Sequence, residues 1–147
     1  MITPFYSPAL YDVAKSSLAV ASVSPGGFPM ANAFDKNDTT EWETSSAGTT
    51  SDYIGQDFTA AAPKKIRRVR LLQNASATFS VTSVSVQYSD DMSAWTTIAA
   101  GNSAVAAGDN TIIVADNGYH RGWRVKAAVA TGGGVWSIFS LEFHINA

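Results

Sequence analysis

Apolar and polar residues alternate along much of this chain with a period of two, the spacing of a strand that buries one face. Val84, Val86 and Tyr88 alternate with Ser85 and Gln87, and Trp123, Val125, Ala127 and Val129 with Arg124 and Lys126. At the C-terminus Val135, Ser137, Phe139, Leu141, Phe143 and Ile145 form one row, with Trp136, Ile138, Ser140, Glu142 and His144 opposite. Further strands are predicted at Leu18–Val23, Tyr53–Phe58, Ile66–Leu72, Trp95–Ala99 and Thr111–Ala115. Turn residues separate them: Ser24-Pro25-Gly26-Gly27, Ala47-Gly48, Ser89-Asp90-Asp91, Gly108-Asp109-Asn110, Asp116-Asn117-Gly118 and Gly132-Gly133-Gly134. Only Ser7–Ser17 has a weakly helical pattern. About eight short strands joined by loops predict an all-β fold, an antiparallel β-sandwich or jelly roll. No internal repeat or linker divides the chain, so residues 18–147 read as one β-domain preceded by an arm, residues 1–17, that suits docking to other subunits.

The bulk numbers narrow the functional classes. A chain of 147 residues can bury a core without staples, and with no cysteine it has neither disulfides nor a thiolate metal site. A net charge of −2 with 15% charged residues argues against nucleic acid, which needs concentrated basic charge. The run Lys64-Lys65-Ile66-Arg67-Arg68-Val69-Arg70 reads instead as a strand with apolar residues inward and solvated cations outward. No segment approaches the ~20 apolar residues of a membrane span. The first residues lack a basic n-region and a continuous apolar stretch, so no secretory signal is read.

The densest chemistry lies in residues 33–42, Ala-Phe-Asp-Lys-Asn-Asp-Thr-Thr-Glu-Trp. Three carboxylates, an amide and two hydroxyls suit a hard cation such as calcium, which takes six to eight oxygens. The spacing is not an EF-hand, since from Asp35 the sixth position is Thr40 and the twelfth Ser46. A polar turn whose side chains bond their own backbone fits the same residues.

The order of landmarks is more specific. Ala33-x-Asp35-x-Asn37-x-x-Thr40-x-Trp42 is followed by Tyr53-Ile54-Gly55-Gln56-Asp57-Phe58 and Ile66-x-x-Val69-Arg70-Leu71. Then come Val84-x-Val86-Gln87-Tyr88-Ser89-x-Asp91-x-x-x-Trp95, Trp123-Arg124-Val125 and Leu141-Glu142-Phe143. Over about residues 18–146 this resembles the discoidin family, the coagulation-factor C-type domains, and the similar family-32 carbohydrate-binding modules. The resemblance implies a galactose-binding-like β-sandwich with a structural calcium at the first loop and a ligand site in loops at one end. It also implies the calcium ligands: Asp35, Asp38, Thr40 and Glu142, with carbonyls of Ala33 and its neighbours. Lys36 departs from the family's glycine, which often serves a positive-φ turn.

On this reading the ligand loops are Glu43–Asp52, Gln73–Phe79 and Gly132–Trp136, brought together at one end. Gln73, Asn74 and Trp136 are the expected contacts, with Trp136 partly exposed as a sugar platform. His120 and Arg121 are further candidates, although they match no fixed family motif and ordinary surface polarity is the favoured reading. Trp42, Trp95 and Trp123 read as core. Glu41 and Glu43 flank Trp42 as loop polarity rather than a glycosidase pair, and no other catalytic constellation is visible.

The expected role is therefore a non-catalytic, lectin-like adhesion module binding glycans or cell-surface polysaccharide. The missing secretion signal points to synthesis in the cytosol and display on a phage or virion-like particle. The alternative is a structural decoration, spike or tail protein that uses the sandwich for protein–protein contacts.

Overall fold

A computed structural model describes residues 11–147. Nine strands are found among them: β1 Ala19–Ala21, β2 Trp42–Ala47, β3 Tyr53–Asp57, β4 Arg68–Gln73, β5 Ser83–Ser89, β6 Thr96–Ala104, β7 Asp109–Ile113, β8 Gly122–Ala127 and β9 Val135–His144. They form two antiparallel sheets, ordered β1-β3-β8-β5-β6 and β2-β9-β4-β7. Between the sheets lies one apolar core, in which Trp42, Trp123, Trp136, Ile54, Val69, Leu71, Val86, Ile138 and Phe143 are all fully buried. The all-β sandwich predicted from the alternation is the fold observed.

The C-terminal strand shows why simple alternation misassigns one row. Up to Ser140 the partner of Leu72, β9 pairs with β4 in step; the next pair is Gln73 with Ile138, so Phe139 is the extra residue of a bulge. One inserted residue exchanges the two faces of a strand. Leu141 and Phe143 point inward on one side of the bulge, and Trp136 and Ile138 point inward on the other. Trp136, placed by alternation on the outer face, is fully buried with its ring 5.7 Å from that of Trp42, edge to face.

Strand β2 escapes the sequence pattern, because only Trp42 and Thr44 of its six residues are buried and its polar remainder lies on a sheet edge. Trp95 is half-buried rather than core. Its ring packs over Gly122 on the outside of the five-stranded sheet, 4.2 Å from the Arg124 guanidinium, which also lies 4.3 Å from the Tyr53 ring.

Of the expected N-terminal arm, residues 1–10 lie outside the described residues, and 11–17 belong to the sandwich. The Val13 amide bonds the Phe143 carbonyl at 2.9 Å, the Asp12 carboxylate accepts from the Phe143 amide at 3.0 Å, and Ala14 is buried. The buried Gln56 amide accepts from Lys15 N and donates to Lys15 O. The domain thus extends N-terminally past the expected boundary at residue 18. The helix expected at Ser7–Ser17 is not found in its described part; a single 3₁₀ turn, Ser16–Leu18, overlaps its end.

Candidate carbohydrate-binding site

The three loops expected to meet do so. Gly48 N donates to Gly134 O at 3.1 Å, and Thr131 N donates to Gly48 O at 3.1 Å. Gly134 N reaches Thr78 O at 2.9 Å, and Asn74 N reaches Ser137 O at 3.0 Å. Glycine leaves room where these loops crowd together. A Cβ on Gly48 would lie 2.7 Å from Thr131 Cγ2 and 2.9 Å from Trp136 Cβ. One on Gly134 would lie 2.5 Å from Cδ1 and Cε1 of Phe79. The 3₁₀ turn Ala77–Phe79 is capped by Ser76, whose side chain accepts from Thr78 N. These bonds hold the loops in one shape, so ordering them costs a ligand little.

Within this end the expected residues take different parts. Gln73 is buried, and its amide is fully used. Its Oε1 accepts from Val81 N at 3.0 Å and from Trp136 Nε1 at 2.9 Å, while its Nε2 donates to Val81 O at 3.0 Å and Ala106 O at 2.8 Å. Neither Gln73 nor Trp136 offers a surface to a sugar; they form a polar brace beneath the loops. Asn74 stays half-buried at the root of the second loop, its Oδ1 accepting from Ser76 N. The aromatic that does reach solvent is Phe79, 37% exposed, at the same end as Val129, 36% exposed. Phe79 stood only as the last residue of an expected loop. The signal that identifies it is a large apolar side chain between Thr78 and Ser80, outside any alternating strand.

His120 and Arg121 lie at the other end of the sandwich. Strands β3 and β8 pair Tyr53 with Lys126 beside the loops and Asp57 with Gly122 at the far edge, which His120 and Arg121 directly precede. The His120 ring stacks on Tyr88 at 3.8 Å, and its nitrogens meet Asp90 Oδ1 at 2.9 Å and Asn117 O at 2.7 Å. A nearby cleft of about 270 Å³ is lined by Tyr88, Ser89, Asp90, Asp91, Ala94 and Thr96. Much of its polar lining is spent on its own turn: Asp91 accepts from Ser89 Oγ and from the amides of Ser93 and Ala94.

Arg121 clasps Asp57 with two bonds, 2.9 and 2.8 Å. That hydrogen bonding holds the Asp57 carboxyl below the usual 3.8, against a smaller opposing effect of burial. Folding therefore favours the ionised form, a contribution complete above the ordinary value and lost as pH falls through the lower folded-state value. The gap in melting midpoint between the native chain and Asp57→Asn is expected to stay open from neutral pH down to about 3.8 and to close below it. A pH series of melts checks this, and a gap that stays constant into strong acid would count against the ion pair.

The expected calcium ligands come together differently from the family pattern. Lys36 adopts φ 60°, the left-handed conformation that glycine takes most readily. Thr40 Oγ1 donates to Asp35 Oδ2 at 2.5 Å, and Asn37 N donates to Asp35 Oδ1 at 2.9 Å, as in a self-bonded polar turn. Ala33 is buried in the 3₁₀ turn Met30–Phe34. Asp38 and Glu142, far apart in sequence, converge on the Arg70 guanidinium at 3.3 and 3.4 Å, and Asp109 joins them at 2.9 Å. The second oxygen of Glu142 lies 2.8 Å from His144 Nε2. A calcium ion needs six to eight free oxygens. Here two of the four side-chain donors are bound to a cation of the chain itself and the other two to each other. Among the described residues no group of three or more acidic or histidine side chains is arranged to hold a metal, so the donor set does not fit the ion.

Three cations of the basic run are engaged in the same way. Arg70 serves three carboxylates, Lys65 pairs with Asp116 at 3.0 Å, and Arg67 Nε bonds Val114 O.

Solved structures place this architecture. The chitosan-binding module 1 of a chitosanase/glucanase from Paenibacillus sp. IK-5 superposes with a TM-score of 0.75 at 23% identity, over 90% of this chain and 98% of that one. The family 32 carbohydrate-binding module of C. perfringens NanJ, solved with galactose, gives 0.66 at 20% identity over 86% and 91%. The CBM32 of AlyQ, solved with 4,5-unsaturated mannuronic acid, gives 0.65 at 19% over 91% and 95%. At these identities the likeness establishes the fold. No curated protein matches the chain. In sequence, residues 14–137 match the F5/8 type C domain. With most of its length covered by that match and its two sheets arranged as in these modules, the chain belongs to the F5/8 type C domain family.

Proposed function

We propose that this domain is a non-catalytic carbohydrate-binding module that seats a glycan on the locked loop end. Phe79 provides the apolar platform, and Asn74 and neighbouring threonines provide hydrogen bonds. The observation that carries the reading is the exposed Phe79 ring on loops whose backbones bond one another. An aromatic face suits the C–H side of a pyranose, and rigid polar neighbours suit its hydroxyls. Support comes also from the similar modules, named for chitosan binding or solved with galactose and an unsaturated mannuronic acid. The Glu41 carboxylate is bonded by Ser137 Oγ, and burial, followed by the nearby Glu41 charge, raises Glu43.

A shallow platform binds weakly one site at a time, so useful attachment comes from many copies, as display on a phage or virion-like particle would provide. The test is a glycan array probed with the domain multimerised on a carrier. Selective retention on a defined class of glycans is expected; a blank array with the multimer refutes the reading.

A further inference from the structure

Arg70 stands where the topology concentrates negative charge. It sits in the middle of β4, directly across from Glu142 on β9 and Thr111 on β7. Its side chain lies on the outer face of the four-stranded sheet, one-quarter exposed. From there Nε and Nη2 bond Asp109, Nη2 also meets Asp38, and Nη1 meets Glu142. Three segments are thereby tied together: the first loop, the start of β7 and the C-terminal strand. A planar guanidinium with five donors in a fixed fork can serve several carboxylates at once, which a lysine ammonium cannot do with the same geometry.

These same segments, the first loop and the C-terminal glutamate, are the ones that a calcium ion is expected to join in this family. We infer that in this chain the Arg70 guanidinium is the built-in cation that replaces the ion, latching the first loop to the sheet without metal. Asp35 and Thr40, no longer needed as ligands, close the loop on themselves. Lys36 takes the left-handed conformation at the turn of that loop, φ 60°. The latch concerns how the loop is held and is independent of whether the domain binds a glycan.

Removing the guanidinium leaves Asp38, Asp109 and Glu142 around vacated space, the hard-oxygen setting that calcium prefers. The experiment compares melting midpoints of the native chain and Arg70→Ala, each in millimolar calcium and in excess chelator, with bound metal counted by native mass spectrometry. The native midpoint is expected to be the same in both solutions, with no calcium bound. Arg70→Ala is expected to melt several degrees lower in chelator and to recover part of that loss in calcium, since a ligand bound only by the folded state stabilises it by mass action. A native chain that binds calcium and melts higher with it overturns the inference, as does a folded Arg70→Ala indifferent to calcium. If Arg70→Ala does not fold, the native chain's response decides alone.

Discussion

Gln73→Leu is expected to lower the unfolding free energy by about 3–5 kcal/mol, the largest effect of any single substitution considered for this domain. The side chain is buried, and its amide satisfies four groups: Val81 N, Val81 O, Ala106 O and Trp136 Nε1. Leucine fills much of the same volume yet supplies no partner. Each buried donor or acceptor left without one costs roughly 1–3 kcal/mol, and the apolar gain offsets only part of the sum. Against a typical domain stability of roughly 5–15 kcal/mol this is a large fraction. Chemical denaturation should show the midpoint falling with its slope unchanged. A loss below about 1 kcal/mol would mean that the brace relaxes or hydrates and does not hold the loops.

Phe79→Ala carries the largest expected functional effect: at least about a tenfold loss of glycan affinity, ~1.4 kcal/mol, with the melting midpoint nearly unchanged. The ring is 37% exposed and rests against Gly134, so removing it empties surface rather than core. Titration with a glycan selected on the array measures it. His120→Ala and Arg121→Ala, at the opposite end, should leave that affinity as it is. If those two abolish binding while Phe79→Ala does not, the glycan sits at the Tyr88–Asp90 cleft instead.

Much of the scaffold was legible because its signals are local. The alternation of Val84, Val86 and Tyr88 or of Trp123, Val125 and Ala127 follows from strand geometry alone, and those strands form as expected. Convergence of the loops around Gly48, Asn74 and Gly134 came from the ordered landmarks and is realised in the backbone bonds. The rest depended on partners far along the chain. Nothing near Phe139 announces a bulge; it arises from how β9 must register against β4, and it alone turns Trp136 from surface to core. Strand β2 is too polar to betray itself, and exists because β9 offers it an edge. His120 and Arg121 looked like sugar contacts as residue types, and only their pairing with Asp90 and Asp57 shows them spent.

By itself, then, the amino-acid sequence determined an all-β sandwich, the family and the loops that crowd one end, since periodicity, turn residues and ordered motifs are properties of the chain read in order. The tertiary structure decided which aromatic of the loop end faces solvent, which polar groups are spent on the protein itself, and which carboxylates meet Arg70. Those outcomes rest on contacts between residues dozens of positions apart, such as Arg70 with Asp38 and Glu142 or Gln73 with Trp136, and exposure and hydrogen-bond satisfaction exist only once such groups meet.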